Sequence, residues 1–317
     1  MNHPVVSILL TSFNAEKYIA LAIESILHQT FTDWELIILD DCSTDSTRNI
    51  ISDFDDKRIR HIYPEKNLGY VASKNVLLKQ VSGSFACFVD ADDWIVPDFL
   101  NKHLSVFSND PSAMACMSSF MKVMPDTSEK PQHFYDKSRF ISYKEDEILF
   151  AGAGIMFRSE VIKTIDGFEP FFDKLMGDDN YWAVKIAERF PFYYLREPLY
   201  YYRSNINSIT ATFDNPKKLT IIAILKELKR QRKKTGTDWL EQKDFESIRA
   251  YEKKLLADKK WIAEQYRTYA AVRLDYNDFK TARQLLAKAF RKNPFDIRII
   301  RTSFYMFRQM MKSISKK

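Results

Sequence analysis

The sequence predicts an α/β fold with a parallel β-sheet, and three observations lead to this class. Short apolar runs typical of strands alternate with segments of helical periodicity through the first hundred residues, which is the pattern of consecutive βα units. Acidic residues end two of these runs, at Asp40 and Asp90, as expected where strands reach the edge of a sheet. The chain has 317 residues and is 45% hydrophobic, so it can bury a large core.

The first part of the chain contains four predicted strands and three predicted helices. The strands are residues 5–10, 34–40, 58–63 and 85–90, and the helices between them are 16–29, 44–54 and 71–81. Ser43 and Thr44 are residue types that cap the second helix, and the run Asn67-Leu68-Gly69 breaks the chain before the third. These lengths fit βα units.

Further elements are predicted up to residue 203. A fourth helix follows Pro97 to about Phe107, residues 113–123 form a strand, and the polar segment 125–137 is a loop. A short strand at 155–157, a helix after Asp179 and an aromatic strand-like run at 192–202 are expected to share the core of the first part.

Beyond Asn215 and Pro216 the pattern changes to long charged helices. These are predicted at residues 217–234, 244–276, 279–292 and 297–314. Residues 266–294 resemble one tetratricopeptide-type hairpin, but a solenoid needs about three stacked repeats, so a helical appendage is predicted. The domains are therefore 1–215 and 216–317.

The charge divides in the same place. From Lys217 onward there are 27 basic and 11 acidic side chains, whereas the preceding residues carry 21 basic and 31 acidic ones. A basic module of this kind favours anionic partners such as a membrane surface, and a solvated helix surface is the alternative.

The rest of the composition excludes several classes of protein. The apolar stretches are too short for a membrane span, and the first residues lack the features of a secretory signal, so a cytoplasmic protein is expected. The three cysteines are widely spaced and form no disulfide framework or thiolate metal motif.

Three carboxylates stand close together at the end of the fourth strand. Asp90, Asp92 and Asp93 lie within four residues, and like charges this close repel unless a cation lies among them. Oxygen ligands suit a hard divalent ion, so Mn²⁺ or Mg²⁺ is predicted. A helix cap and turn cluster is the alternative, because Asp favours both.

The strand ends together resemble a known family. They carry Thr11-Ser12-Phe13-Asn14, Asp40-Asp41-Cys42-Ser43 and Asp90-Ala91-Asp92-Asp93, accompanied by Gln29-Thr30-Phe31 and Asn67-Leu68-Gly69. Their order and spacing resemble the family 2 inverting glycosyltransferases, of the type that makes bacterial cell-surface polysaccharides. Looser matches, including Gly152-Ala153-Gly154, Gly167-Phe168, Gly177-Asp178-Asp179 and Glu197-Pro198-Leu199, extend the resemblance to about residue 210. It implies a GT-A fold, which is a Rossmann-like mixed sheet with helices on both faces that binds a nucleotide-sugar.

The resemblance also implies roles in donor binding. Thr11 and Phe13 match the wall against which the nucleotide base packs, and Asp41 matches the acid that accepts a hydrogen bond from a uracil N–H. Lys74 stands where the family usually has Arg and is expected near a nucleotide phosphate; a solvated lysine is the alternative. Without the resemblance, Asp41 and its neighbour Asp40 read as a capping pair.

Further roles follow for the carboxylates. Asp93 resembles the direct metal ligand, Asp92 is expected to serve both ribose and metal, and Asp90 supports them. A divalent cation would act as a Lewis acid on the departing diphosphate. Asp179 matches the second acid of the family's Glu-Asp pair and is expected to be the general base for the acceptor hydroxyl.

Three residues complete the expected site. Asp178 replaces the usual Glu beside the base, and a helix cap is the alternative for both acids. Trp182 is expected to line the acceptor site or to lie in the core. The family's Tyr-Arg-x-His becomes Tyr202-Arg203-Ser204-Asn205 here, so Arg203 is expected to complete this corner.

The resemblance thus implies transfer of a sugar from a nucleotide diphosphate-sugar, with UDP as the expected nucleotide, to a saccharide or lipid-linked saccharide hydroxyl. Basic helices at the inner face of the cell membrane would give a peripheral contact. The alternatives are a receiver-like Mg²⁺-binding signalling domain and a non-catalytic nucleotide-binding protein with a basic partner-binding module. No specific nucleic acid is predicted, because almost any basic surface is retained on DNA or RNA at low salt.

Overall fold

The computed structural model describes residues 4–144, 154–206, 208–212 and 216–314. Residues 152 and 153 of the Gly152-Ala153-Gly154 motif, and residue 215 at the predicted domain boundary, lie outside them. The chain forms two compact units. The first comprises the described residues of Met1–Val123 and Thr127–Ser204, and the second comprises those of Met124–Asp126 and Asn205–Lys317.

Four parallel strands form one half of the sheet in the first unit. They are β1 (Val6–Ser12), β2 (Trp34–Asp40), β3 (Ile59–Ile62) and β4 (Phe85–Phe88), in the spatial order β3-β2-β1-β4. The helices that connect them are α1 (Ile19–Leu27), α2 (Thr47–Ser52) and α3 (Tyr70–Leu78). The predicted βα alternation is therefore confirmed, and β2 has the predicted bounds.

The second half of the sheet is mixed. After β5 (Trp94–Ile95) and α4 (Phe99–Asn109) come the strands β6 (Ala115–Val123), β7 (Glu129–Gln132), β8 (Arg139–Ile141), β9 (Ile155–Arg158) and β10 (Phe192–Arg203). β9 lies antiparallel between β4 and β6, and β10 runs parallel to β6. The loop predicted at 125–137 is wrong in part, because β7 pairs with β6 through register partners such as Met121 and Pro131.

Two further helices belong to this unit. They are α5 (Glu160–Thr164) and α6 (Asp178–Arg189), with a 3₁₀ turn at Pro170–Phe172 between them. α6 begins after Gly177, whose φ of 98° lies in the left-handed region that glycine tolerates. The backbone thus turns sharply just before the pair Asp178-Asp179.

Successive side chains of the central strands point to opposite faces of the sheet, and each face is covered by a buried apolar layer. Ile8 and Ile38 pack on one face with apolar residues of α1 and α4, whereas Leu9 and Ile37 pack on the other with residues of α3 and α6. This period of two is what a strand buried on both faces requires. The α/β class, with helices on both faces of the sheet, is confirmed, and Phe157 shows that the later segment shares the core.

The second unit is helical. Its helices are α7 (Ile221–Thr235), α8 (Phe245–Ala257), α9 (Lys259–Asp275), α10 (Phe279–Lys292) and α11 (Ile297–Ile314). The single helix predicted at 244–276 is wrong: Asp258 is extended and its carboxylate accepts the backbone N–H groups of Lys260 and Trp261, which starts a new helix. Within the described residues, no helix is long and apolar enough to cross a membrane.

Candidate active site

The loops after β1 and β2 meet at the carboxyl edge of the parallel strands. Ser12 and Asp40 are register partners at the ends of these strands, and the Ser12 hydroxyl donates a hydrogen bond of 3.2 Å to Asp40. Thr11 is nearly buried, whereas Phe13 is 53% exposed. An exposed aromatic ring at a strand end leaves an apolar surface on which a planar ligand can stack.

Asp41 holds the loop that precedes α3. Its two carboxylate oxygens accept hydrogen bonds from the backbone N–H groups of Leu68 at 2.7 Å and Gly69 at 2.9 Å. The Asn67 side chain donates to the Asp41 carbonyl oxygen at 2.7 Å. The motif at 67–69 is therefore fastened to the end of β2, and the role of Asp41 toward a base stays a prediction.

The three clustered carboxylates differ in their surroundings. Asp93 is 1% exposed, and its oxygens accept hydrogen bonds from the Arg203 backbone N–H at 2.7 Å and the Tyr200 hydroxyl at 2.9 Å. Asp90 and Asp92 are half-buried, and Asp90 accepts a long hydrogen bond of 3.4 Å from the Tyr70 hydroxyl. Asp93 is thus held within the fold, and its predicted role as direct metal ligand remains a prediction.

The charges of this cluster act on one another. Burial raises the pKa of Asp90 to about 6; Lys74 opposes this rise, and Asp92 and Asp178 add to it. Burial, and then the charges of Asp92 and Asp90, raise the pKa of Asp93 well above its usual range. A cation near these oxygens would relieve the repulsion.

A divalent cation fits this donor set when a ligand supplies part of its coordination. The described residues contain no group of three or more His, Cys, Asp or Glu side chains placed to hold a metal by themselves. Mg²⁺ is commonly bound by one or two carboxylates together with substrate phosphates and water. Asp92 and its neighbours match that arrangement in residue type.

The predicted base and the predicted phosphate ligand lie together. Lys74 is 1% exposed, and its ammonium donates to Asp178 at 3.1 Å and also to Asp179. The ring centroids of Tyr70 and Phe168 lie 4.3 and 4.7 Å from the same nitrogen. The alternative of a solvated lysine is therefore wrong, because the fold holds the Lys74 charge between two carboxylates and aromatic rings. The role of Lys74 toward a nucleotide phosphate stays a prediction.

This pairing sets unusual proton affinities. Burial and the charge of Asp178 raise the pKa of Asp179 to about 7, although Lys74 lowers it. Burial lowers the pKa of Lys74, but Asp178, Asp179 and Asp90 outweigh that effect and raise it well above its usual value. Lys74 therefore carries its proton at neutral pH. A pKa of about 7 lets Asp179 change charge near neutrality, and the Asp179 side chain is 21% exposed.

Two other predicted site residues, Trp182 and Arg203, contact groups that hold the fold together. Trp182 is 2% exposed, its ring packs on Phe157 and Phe168, and its indole N–H donates to the Asp166 carbonyl oxygen at 3.1 Å. Trp182 thus has the surroundings of a core residue, and its role toward an acceptor stays a prediction. The Arg203 side chain donates to the Asp92 carbonyl oxygen at 2.9 Å and therefore braces the acidic loop.

The sequence did not indicate Tyr200. Its hydroxyl donates to Asp93 and accepts the Asp90 backbone N–H at 3.1 Å, so one side chain fixes both ends of the acidic loop. Gly154 makes room for it, since a Cβ atom there would lie 3.0 Å from the Tyr200 ring. The aromatic run of β10 was the available signal, but it does not distinguish one tyrosine from the next.

Part of this chain is similar to known glycosyltransferases. The family model described as Glycosyl transferase family 2 matches residues 7–166. Over 103 residues the chain is 41% identical to the putative teichuronic acid biosynthesis glycosyltransferase TuaG of Bacillus subtilis, a match that covers 32% of this chain and 41% of TuaG. Over 106 residues it is 39% identical to the UDP-Glc:alpha-D-GlcNAc-diphosphoundecaprenol beta-1,3-glucosyltransferase WfgD of Escherichia coli, covering 33% of this chain and 42% of WfgD. These matches span about two-fifths of each relative.

Solved structures share the fold. The crystal structure of S. aureus TarS 1-349 in complex with UDP-GlcNAc superposes with a TM-score of 0.59 at 18% identity, covering 96% of this chain and 81% of that one. This likeness confirms the predicted GT-A class with a C-terminal helical part. The family match also sets aside the receiver-like alternative. Since the family model covers half of the sequence, the chain belongs to glycosyl transferase family 2.

Proposed function

We propose that this protein transfers a sugar from a UDP-sugar to a hydroxyl of a saccharide or lipid-linked saccharide, with inversion at the anomeric carbon, during the synthesis of a cell-surface polysaccharide. Membership of glycosyl transferase family 2 supports the reaction class. The names of TuaG and WfgD, and the UDP-GlcNAc bound to TarS, support the donor and the pathway class.

The observation that carries the proposal is the environment of Asp179. Inverting transfer needs one base that removes the proton of the acceptor hydroxyl as that oxygen attacks the anomeric carbon. A carboxylate with a pKa of about 7 is a far better base than an ordinary aspartate and is still half ionised at neutral pH. Lys74 holds this carboxylate in place at the first turn of α6.

The donor is assigned to the carboxyl edge of the parallel strands. Phe13 would stack on the base, Thr11 would border it, and Asp41 would accept the uracil N–H on a lone pair that its loop contacts leave unused. Each carboxylate oxygen has two acceptor sites, so the bonds to Leu68 and Gly69 do not exclude a further donor.

Asp92 and Asp93 are the proposed cation ligands, with Asp90 beside them. The bound Mn²⁺ or Mg²⁺ would supply Lewis-acid stabilisation of the negative charge on the leaving diphosphate. Tyr200 and Arg203 hold the acidic loop in place through their hydrogen bonds to Asp93 and Asp92. Asp92 is further assigned to the ribose.

Two measurements test the proposal. Calorimetry should show that UDP binds in the presence of Mn²⁺, with GDP as the nucleotide control, and a panel of UDP-sugars should then give a product of inverted anomeric configuration. Asp179→Asn should retain donor binding and lose about 10²- to 10⁴-fold in transfer rate. Asp55→Asn is the matched control, because that side chain is exposed and lies outside the proposed site. Failure of both nucleotides to bind, or near-normal turnover of Asp179→Asn, would contradict the assignment.

A further inference from the structure

The outer surface of α10 and α11 exposes an unusual concentration of apolar side chains. Of the fourteen large hydrophobic side chains that the described residues expose, seven lie between positions 290 and 311. They are Phe290, Phe295, Ile297, Phe304, Tyr305, Phe307 and Met311. Phe290, Phe304 and Phe307 line one hollow of the surface, and Met311 follows Phe307 by one helical turn. We call these four side chains the aromatic face, and an exposed apolar surface of this kind marks an interaction site.

The buried cluster of the helical unit is formed by other side chains. The inward side of α11 is provided by Ile299, which is 1% exposed in the cluster formed with α9 and α10, and by Met306 one heptad later. Phe304 is 72% exposed and Phe307 is 55% exposed, and with Met311 they follow the three- and four-residue spacing of one helical stripe. α11 therefore has a second apolar stripe in addition to the one that packs inward.

The charge around the face has one sign. Residues 279–314 contain nine Lys and Arg side chains and a single acidic one, Asp296. Arg301 and Arg308, on α11 itself, are exposed. Aromatic side chains next to a helix surface rich in arginine are the composition of helices that lie in the interface of a bilayer.

We propose that the aromatic face docks on an anionic lipid bilayer, where its rings enter the boundary between headgroups and acyl chains and its arginines pair with lipid phosphates. Charge complementarity selects this occupant. A second copy would bring two basic surfaces together, and their repulsion would oppose the contact. The total charge of the helical unit points to no particular helix, whereas the exposed rings place the proposed contact on α10 and α11.

Vesicle sedimentation with the full chain tests the proposal. Vesicles of phosphatidylcholine mixed with phosphatidylglycerol should bind the protein, vesicles of phosphatidylcholine alone should bind it weakly, and salt should reduce binding. Phe304→Ser combined with Phe307→Ser should lower the partition coefficient by about tenfold or more. Arg301→Gln combined with Arg308→Gln should lower it by about tenfold to thirtyfold.

The controls separate docking from damage. Phe245 of α8 is 42% exposed and lies outside the face, so Phe245→Ser should bind vesicles like the wild type. All four proteins should melt at the same temperature, since the substituted side chains are exposed. Equal binding by the Phe304/Phe307 double variant, or no binding by the wild type, would overturn the proposal. A concentration-dependent dimer that this double variant abolishes, without vesicle binding, would assign the face to a second copy.

Discussion

Lys74 and Asp179 form an ion pair at the first turn of α6, although 105 residues separate them in the sequence. The pair joins α3 to α6 on one face of the sheet. Because the lysine side chain is 2% exposed, its charge depends on the two aspartates for compensation. The proton affinity of Asp179 therefore reflects a balance between burial, which raises its pKa, and Lys74, which lowers it.

Removal of that lysine should affect stability and pH dependence together. Lys74→Met leaves the buried Asp178 carboxylate and the partly exposed Asp179 carboxylate without a cation, and we expect a loss of about 3 to 5 kcal/mol in the free energy of unfolding. It should also raise the pKa of Asp179, so the remaining transfer activity should require a higher pH. Lys74→Arg keeps the charge and is the control. Urea denaturation and a pH–rate profile measure the two effects, and an unshifted profile for Lys74→Met would contradict the coupling.

The wild-type profile itself is a second prediction. If Asp179 is the base, only its ionised form is active, and this form makes up about a tenth of the protein one pH unit below its pKa. With a pKa of about 7, kcat/KM should rise about tenfold per pH unit below neutrality and level off above it. A profile that is already flat from pH 5 upward, where an ordinary aspartate is ionised, would argue against this role.

The two proposed metal ligands should respond differently to substitution. Asp92→Ala should weaken the Mn²⁺-dependent binding of UDP and lower the melting temperature less than Asp93→Ala does, because Asp92 is half-buried whereas Asp93 is 1% exposed. Asp93→Ala removes the acceptor of the Tyr200 hydroxyl and the Arg203 N–H, and each unpaired group costs about 1 to 3 kcal/mol. Calorimetry with thermal melting distinguishes the two. Equal melting temperatures would show that Asp93 does not hold the loop.

Tyr200 should be needed for the acidic loop. Tyr200→Phe removes only the hydroxyl that bridges Asp90 and Asp93, and we expect a loss of about 1 to 3 kcal/mol in stability together with weaker metal-dependent UDP binding. Tyr201→Phe is the neighbouring control, because the Tyr201 ring stacks on Trp94 and that contact survives the change. If both variants behave alike, the bridge has no special role.

Local patterns explain which elements could be predicted. The bounds of β2 and α10 agree with the prediction to the residue. An apolar run that ends in two aspartates marks β2, and Asn293-Pro294 marks the end of α10, which in the structure also begins at an Asp278 cap. The break at Asp258 was missed, since no glycine or proline marks it and only the side-chain cap reveals it. β7 was missed because its polar residues form a strand only through pairing with β6.

In the candidate site, too, local patterns could be predicted from the sequence and contacts between distant residues could not. The acids at strand ends could be found from the sequence, since each follows its own strand. The partners of Lys74 and Asp93 could not, because their contacts join residues more than a hundred positions apart. Trp182 shows the reverse case, since its position in a motif did not reveal that its ring is buried in the core.

The bonds of Asp93 also impose an order on biosynthesis. Its two partners, Tyr200 and Arg203, follow it by 107 and 110 residues. At the usual rate of translation the ribosome needs about 5 to 20 seconds to make that length of chain. During this interval the acidic loop lacks the hydrogen bonds that hold it. The site is complete only after β10 has been synthesised and has paired with the sheet. A ribosome that stalls before residue 203 therefore leaves an incomplete sheet with unpaired strand edges, which is prone to aggregate.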